Sequence, residues 1–215
     1  METQIESQEQ AKKSPPLFED NLPNRITIFR VFLIPLIFAC LWLVILDVEY
    51  FRPHFSLMGW IAGWTFTLAS ITDFFDGYIA RKRGIESVFG SFLDPIADKF
   101  LVVSSLILLH GLHRITTIVV VILVLRELYM TSLRLLAKTE GVSVPVSSLG
   151  KWKTGAQMVG IPMLMANEPL WGIPLTVIGP ISIYIASILS VYSAIIYSIN
   201  LVQKLKAARL EKRKG

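Results

Sequence analysis

The chain has 215 residues, 53% of them hydrophobic and 17% charged, with a net charge of +5 and a mean hydropathy of +0.57. Soluble globular proteins carry about a quarter charged residues, whereas here the apolar residues gather in runs without any charge: Val31–Leu46, Ser56–Thr72, Thr154–Asn167 and Pro169–Gln203. Those runs lack the polar faces a soluble α-helical bundle would need. The positive charge also lacks the interleaved aromatics of a nucleic-acid surface, so no nucleic acid is expected as partner.

Residues 1–20 are polar, of mixed charge, and include Pro15-Pro16. They lack the apolar stretch of a signal peptide and are expected to form a loose extension or a short surface helix. A helix needs about 20 mostly apolar residues to cross the hydrocarbon layer, and the runs predict six such helices. These cover roughly 25–48, 56–82, 88–112, 115–138, 150–167 and 175–203. Pro53, Pro169 and Pro174 punctuate the connections, since proline cannot continue a helix interior. The third and fourth helices are weak on hydropathy alone because charges interrupt their ends. Gly141 to Gly150 reads as a loop, and residues 204–215 as a basic tail. The reading is therefore an all-α, polytopic membrane domain over 21–203, flanked by the extension and the tail.

Lysine and arginine set the orientation. Lys12, Lys13, Arg25 and Arg30 precede or open the first helix. Arg81, Lys82 and Arg83 lie between the second and third, and Lys138, Lys151 and Lys153 between the fourth and fifth. Lys204, Lys206, Arg209, Lys212, Arg213 and Lys214 end the chain, while the alternate connections hold only Arg52 and Arg114. The positive-inside rule then puts both termini in the cytoplasm, in a cell membrane whose anionic head groups meet the basic face. His54, His110 and His113 fall on the opposite side and read as interfacial. Trp42, Trp60 and Trp171 read as belt or packing residues. Cys40, the single cysteine, is expected to pack in an apolar helix.

Four carboxylates stand where hydrophobicity should forbid them: Asp73, Asp76, Asp94 and Asp98, in ITDFFDGYIARKRGIESVFGSFLDPIADK. An ionised carboxylate at the bilayer centre costs at least ~2.5 kcal/mol, and acids in membrane helices are functional by default. Asp73 and Asp76 are three apart and Asp94 and Asp98 four apart, so each pair shares a helix face. Together the two faces make an all-oxygen cage suited to hard cations such as Mg²⁺ or Mn²⁺. Paired ions ~3.5–4 Å apart suit phosphoryl chemistry. Gly77 and Ala80 share the carboxylate face, and Gly90 precedes Asp94 by a turn; small residues there let helices or a ligand approach closely. Arg81 offers a forked cation for phosphate. Taken singly, the small residues could serve packing and Arg81 an interface; as a set at fixed spacing they point to a site.

A second group is cationic: Arg126, Arg134, Lys151 and Lys153, at the cytoplasmic side of the fourth and fifth helices. A dianionic phosphate on a ligand would account for them through charge-assisted hydrogen bonds. The alternatives are plain interfacial anchoring, above all for Lys153, and a structural pairing of Arg126 with Glu127.

Asp73-x-x-Asp76-Gly77-x-x-Ala80-Arg81, then Gly90-x-x-x-Asp94-x-x-x-Asp98, resembles the signature of the CDP-alcohol phosphotransferases in eight identities and every spacing. The resemblance implies a six-helix membrane bundle, usually a homodimer, with its active site facing the cytoplasm. It implies two divalent metal ions ligated by Asp73, Asp76 and Asp94, with Asp98 completing the shell and acting as base on the acceptor hydroxyl. It also implies that the CDP lipid binds through Asp73, the Gly77-to-Arg81 segment including Ala80, and Ser87. The segments Asn21–Pro35, Leu125–Arg134 and Ser148–Thr154 are similar to the branch that joins CDP-diacylglycerol to sn-glycerol 3-phosphate. Inositol phosphate or phosphatidylglycerol are the alternative acceptors. An ion transporter is the alternative of another class, but it would spread acids over the mid-plane of several helices, whereas these four fall within one 26-residue stretch.

Overall fold

A computed structural model describes the backbone of residues 22–83, 88–145 and 148–214, and the side chains of 29–72, 96–145 and 148–210. Among these, six α-helices follow one another: α1 (Leu22–Ile45), α2 (Phe55–Arg83), α3 (Val88–Gly111), α4 (Thr117–Thr139), α5 (Ser148–Ala166) and α6 (Leu175–Lys214). A 3₁₀ turn, Glu49–His54, joins α1 to α2. The first five helices end within a few residues of the sequence expectation, and no β-strand occurs among the described residues. Asp47, His113 and Asn167 take left-handed backbone angles just past the ends of α1, α3 and α5, the conformation that closes a helix C-terminus.

The main core joins Ile37 and Leu41 of α1, Phe66 of α2, Leu101, Leu106 and Leu109 of α3, Leu123 of α4, Ile161 and Leu164 of α5, and Ile183 of α6. Within it α5 is clasped on two sides, packing against α6 and α2. A Cβ built on Gly59 of α2 would lie 2.5 Å from the Met165 carbonyl oxygen, and one on Gly63 would lie 3.0 Å from that of Pro162. One on Gly160 would meet Ile183 at 2.9 Å. Such close approaches, to backbone at Gly59 and Gly63 and to a side chain at Gly160, are what small residues permit in helix bundles. Arg114 closes the C-terminal end of α5 by donating to the carbonyls of Leu164 and Met165, at 2.7 Å each. Beyond it, the Glu168 carboxylate accepts from Ser56 at 2.6 Å and Trp60 at 3.2 Å. With its far end tied down in this way, α5 presents its first turns in a fixed position.

The last helix departs from expectation. In place of a helix to 203 and a separate tail, α6 runs 40 residues to Lys214, about 60 Å at 1.5 Å per residue. The continuation is supported from the side. Tyr197 and Leu201 pack with Met130 and Ala137 of α4, Lys204 donates to the Ser143 carbonyl at 2.6 Å, and Arg209 lies 3.9 Å from Glu140.

Six spans were expected, and the helices are where they were expected. By length and composition, however, only Leu175–Leu210 is apolar enough to cross a membrane alone among the described residues. Phe29–Ile45 and Glu49–Thr72 pass the same test jointly, with a 119° bend between them. Charges interrupt the other helices: Asp98 and Lys99 in the part of α3 with described side chains, residues 96–111, Arg126, Glu127 and Arg134 in α4, and Lys151 and Lys153 in α5.

Candidate functional site

Those interrupting charges converge. Helices α3, α4 and α5 line a cavity of about 580 Å³ whose wall includes Asp98, Arg126, Arg134, Lys151, Lys153 and Gln157. Asp98 comes from α3, one turn before buried Val102. Arg126, Glu127 and Arg134 come from α4, and Lys151 and Lys153 from the opening turns of α5. Asp98 and Lys153 are near enough to interact electrostatically. With Lys99 the wall carries five cations against two carboxylates, and the positive end of the α5 dipole adds to the excess.

Glu127 organises the cations. Its Oε1 accepts from Arg126 Nη1 at 3.0 Å and also from Lys153 Nζ, so one carboxylate ties α4 to α5. Arg126 reaches a third helix as well, donating from Nη2 to Ser193 Oγ of α6 at 3.0 Å. Its Nε has no hydrogen-bond partner among the described residues. Arg134 and Lys151 are exposed at the cavity mouth.

Both alternatives weighed from sequence are thereby decided in part. The Arg126–Glu127 pairing exists, but it sits in the cavity wall and does not remove Arg126 from the site. Lys153 is 3% exposed, which an interfacial anchor reaching toward water would not be. Arg30 also differs from its reading as a charge at the start of the first helix: it is 1% exposed within the bundle.

Asp73, Asp76, Gly77, Ala80 and Arg81 fall on α2 and Asp94 on α3, so each aspartate pair lies within one continuous helix. Their side chains, and Ser87 altogether, lie outside the described residues. Asp98 is thus the one of the four carboxylates whose side chain is described, and among the described residues no cluster of three metal-ligating side chains occurs.

Lys99, Glu127 and Gln157 of the wall were not singled out from the sequence. Glu127 was read only as a neighbour of Arg126; its pairing with Lys153 spans 26 positions and no local pattern announces it. Gln157 did leave a signal. It is an amide in the middle of the charge-free run Thr154–Asn167, four residues after Lys153, and so on the same helix face.

The sequence was compared with known proteins. The profile of the CDP-alcohol phosphatidyltransferase family matches residues 20–196. A protein of Rickettsia felis is 37% identical over 180 residues, covering 83% of this chain and 94% of that protein. One of Haemophilus influenzae is 37% identical over 182 residues, covering 82% and 91%. One of Bacillus subtilis is 38% identical over 151 residues, covering 69% and 78%. Each of the three is named CDP-diacylglycerol–glycerol-3-phosphate 3-phosphatidyltransferase.

Proposed function

The chain belongs to the CDP-alcohol phosphatidyltransferase family, and from that premise we propose that it transfers the phosphatidyl group of CDP-diacylglycerol to sn-glycerol 3-phosphate, releasing CMP. The activity is the one named for its relatives. The observation that carries it on this chain is the cavity that gathers Asp98 with Arg126, Arg134, Lys151 and Lys153. A cationic recess beside one carboxylate is what a phosphorylated alcohol requires. The cations hold its phosphate through charge-assisted bonds, and the carboxylate faces the hydroxyl that must lose a proton.

In the reaction a hydroxyl oxygen of the acceptor forms a bond to the phosphorus that carries the diacylglycerol. The bond from that phosphorus to the CMP oxygen breaks, and the hydroxyl proton passes to Asp98. Arg126, Lys153 and Lys151 orient the acceptor so that its hydroxyl, and not its phosphate, is directed to the attack. Such positioning can contribute several kcal/mol, about 7–11 at its limit. Gly77, Ala80, Arg81 and Ser87 are the proposed contacts of the CDP group. Asp73, Asp76, Asp94 and Asp98 would hold two divalent cations, Mg²⁺ or Mn²⁺. Their all-oxygen donor chemistry and their placement in pairs on α2 and α3 fit hard cations. When bound, such ions neutralise the charge of the diphosphate.

The fold is proposed to act as a six-helix bundle in the cell membrane, as a homodimer, with both termini and the cavity facing the cytoplasm. Large apolar side chains exposed around the outside, among them Phe32, Trp64, Ile118 and Ile188, support this reading, because exposed apolar surface of that extent marks a membrane or partner contact. The test is CMP release from CDP-diacylglycerol by the purified protein with a panel of acceptors. Release with sn-glycerol 3-phosphate and not with inositol phosphate or phosphatidylglycerol is expected. Release with one of the others in its place would refute the assignment.

A further inference from the structure

Gln157 is 2% exposed, yet its Nε2 has no hydrogen-bond partner among the described residues, and it lines the cavity that holds Asp98 and the cations. A buried N–H without a partner opposes folding, so a native structure that keeps one calls for a reason. Lys153, one turn earlier, is itself a donor, bonded to Glu127, and Val102 and Met158 of the wall are apolar. The residue therefore borders the cavity with an amide donor that no described group uses.

Position narrows the ligand group. Gln157 stands about 6 Å further along α5 than Lys153, at 1.5 Å per residue. Lys151 and Lys153 lie near the start of α5, where the helix dipole also favours an anion, so the acceptor phosphate belongs at that end. The three-carbon chain of sn-glycerol 3-phosphate then runs inward along α5. It carries two hydroxyls, and the one that attacks faces Asp98. With Arg126, whose Nε also lacks a partner among the described residues, assigned to the phosphate, the remaining polar group of the acceptor is the secondary hydroxyl at C2, and the donor left for it is the Gln157 amide.

We propose that Gln157 is a specificity-determining residue whose amide N–H donates to the C2 hydroxyl of sn-glycerol 3-phosphate. The assignment rests on the glycerophosphate reading above and deepens it. A site built to hydrogen-bond a substrate hydroxyl rejects an analogue lacking it, because its own polar group is then left unpaired. Gln157 therefore separates this acceptor from phosphorylated alcohols that satisfy only the cations and Asp98.

The experiment compares two acceptors, sn-glycerol 3-phosphate and 3-hydroxypropyl phosphate, which lacks only the C2 hydroxyl. CMP release by the full-length protein in CDP-diacylglycerol vesicles with divalent metal is followed for the wild type and for Gln157→Met, which keeps the length of the side chain and removes the donor. The wild type is expected to prefer sn-glycerol 3-phosphate in kcat/KM by roughly ten-fold or more. In Gln157→Met that preference should collapse to about two-fold, through loss on the natural acceptor alone, with the KM for CDP-diacylglycerol unchanged. Thermal melting without acceptor should not fall, since an unpartnered donor has been removed. A preference unaltered by the substitution, or an equal loss on both acceptors, overturns the inference while leaving the glycerophosphate reading intact. A wild type inactive with sn-glycerol 3-phosphate overturns that reading and this inference with it. Should Gln157→Met fail to fold, thermal stabilisation of the wild type decides: sn-glycerol 3-phosphate must stabilise it more than 3-hydroxypropyl phosphate does, and equal stabilisation overturns the inference.

Discussion

Replacing Glu127 by alanine should damage this protein more than replacing any of the cations around it. The Glu127 carboxylate oxygen holds two positive groups at once, Arg126 and Lys153. Their side chains are only 9% and 4% exposed, so water cannot take over the lost role. Removing one partner of a buried ion pair and stranding the other costs about 3–5 kcal/mol. At about 2–4 °C per kcal/mol for a chain of this size, the melting temperature should fall by roughly 6–20 °C. Lys153→Met should cost less, because Glu127 keeps Arg126 and no cation is stranded. The double variant Glu127→Ala/Lys153→Met should then be more stable than Glu127→Ala alone, since the ammonium stranded in the single variant is gone. The assay is thermal unfolding of the detergent-solubilised protein for the full cycle of four proteins. Strict additivity, or a Glu127→Ala protein that melts with the wild type, would refute the idea that one carboxylate neutralises both cations.

Arg134→Ala and Lys151→Ala should each raise the KM for sn-glycerol 3-phosphate by roughly ten- to a hundred-fold, the range of a lost charge-assisted contact of about 1.5–3 kcal/mol, and leave the KM for CDP-diacylglycerol nearly unchanged; steady-state kinetics with each substrate varied in turn would check this. Asp73→Asn, Asp76→Asn and Asp94→Asn should each abolish turnover and weaken Mn²⁺ binding as titrated by calorimetry, and unchanged affinity in all three would remove them from the metal site. Gly59→Ala forces a methyl group to 2.5 Å from the Met165 carbonyl and should lower stability by about 1–3 kcal/mol. Gly155→Ala, with nothing within 4 Å of its Cβ, should melt no lower than the wild type.

How much of this was legible beforehand depends on the range of the interaction. Helix positions were legible because apolar runs and prolines are local signals, and five of the six helices end near their predicted limits. The extension of α6 was not. Lys204, Lys206 and Arg209 read as a solvated tail, and what keeps them helical is distant: Ser143 and Glu140 at the end of α4 and the loop beyond it. The convergence of Arg126, Arg134, Lys151 and Lys153 with Asp98 on one cavity followed a charge argument that needs no contact map. The burial of Lys153 could not be read in the same way. A lysine next to a loop looks like an anchor until the partner across the bundle, Glu127, is seen.

The same residues are the charges that interrupt α3, α4 and α5. In a bundle that takes two charged substrates, the helices that wall the site must carry charges of their own. The fold tolerates the buried ones by pairing them with one another or with polar side chains. Glu127 is shared by Arg126 and Lys153, Arg126 is tethered to Ser193, and Ser187, Ser190 and Ser193 make a buried polar strip along α6. The outward faces of the same helices remain apolar, with Phe100 and Ile107 on α3, Ile118 and Leu125 on α4 and Val159 on α5 exposed. Beside an apolar core, the bundle thus keeps a polar cavity wall under an apolar exterior. Such a surface is what the proposed reaction needs, since it joins a water-soluble phosphate ester to a lipid-borne phosphate.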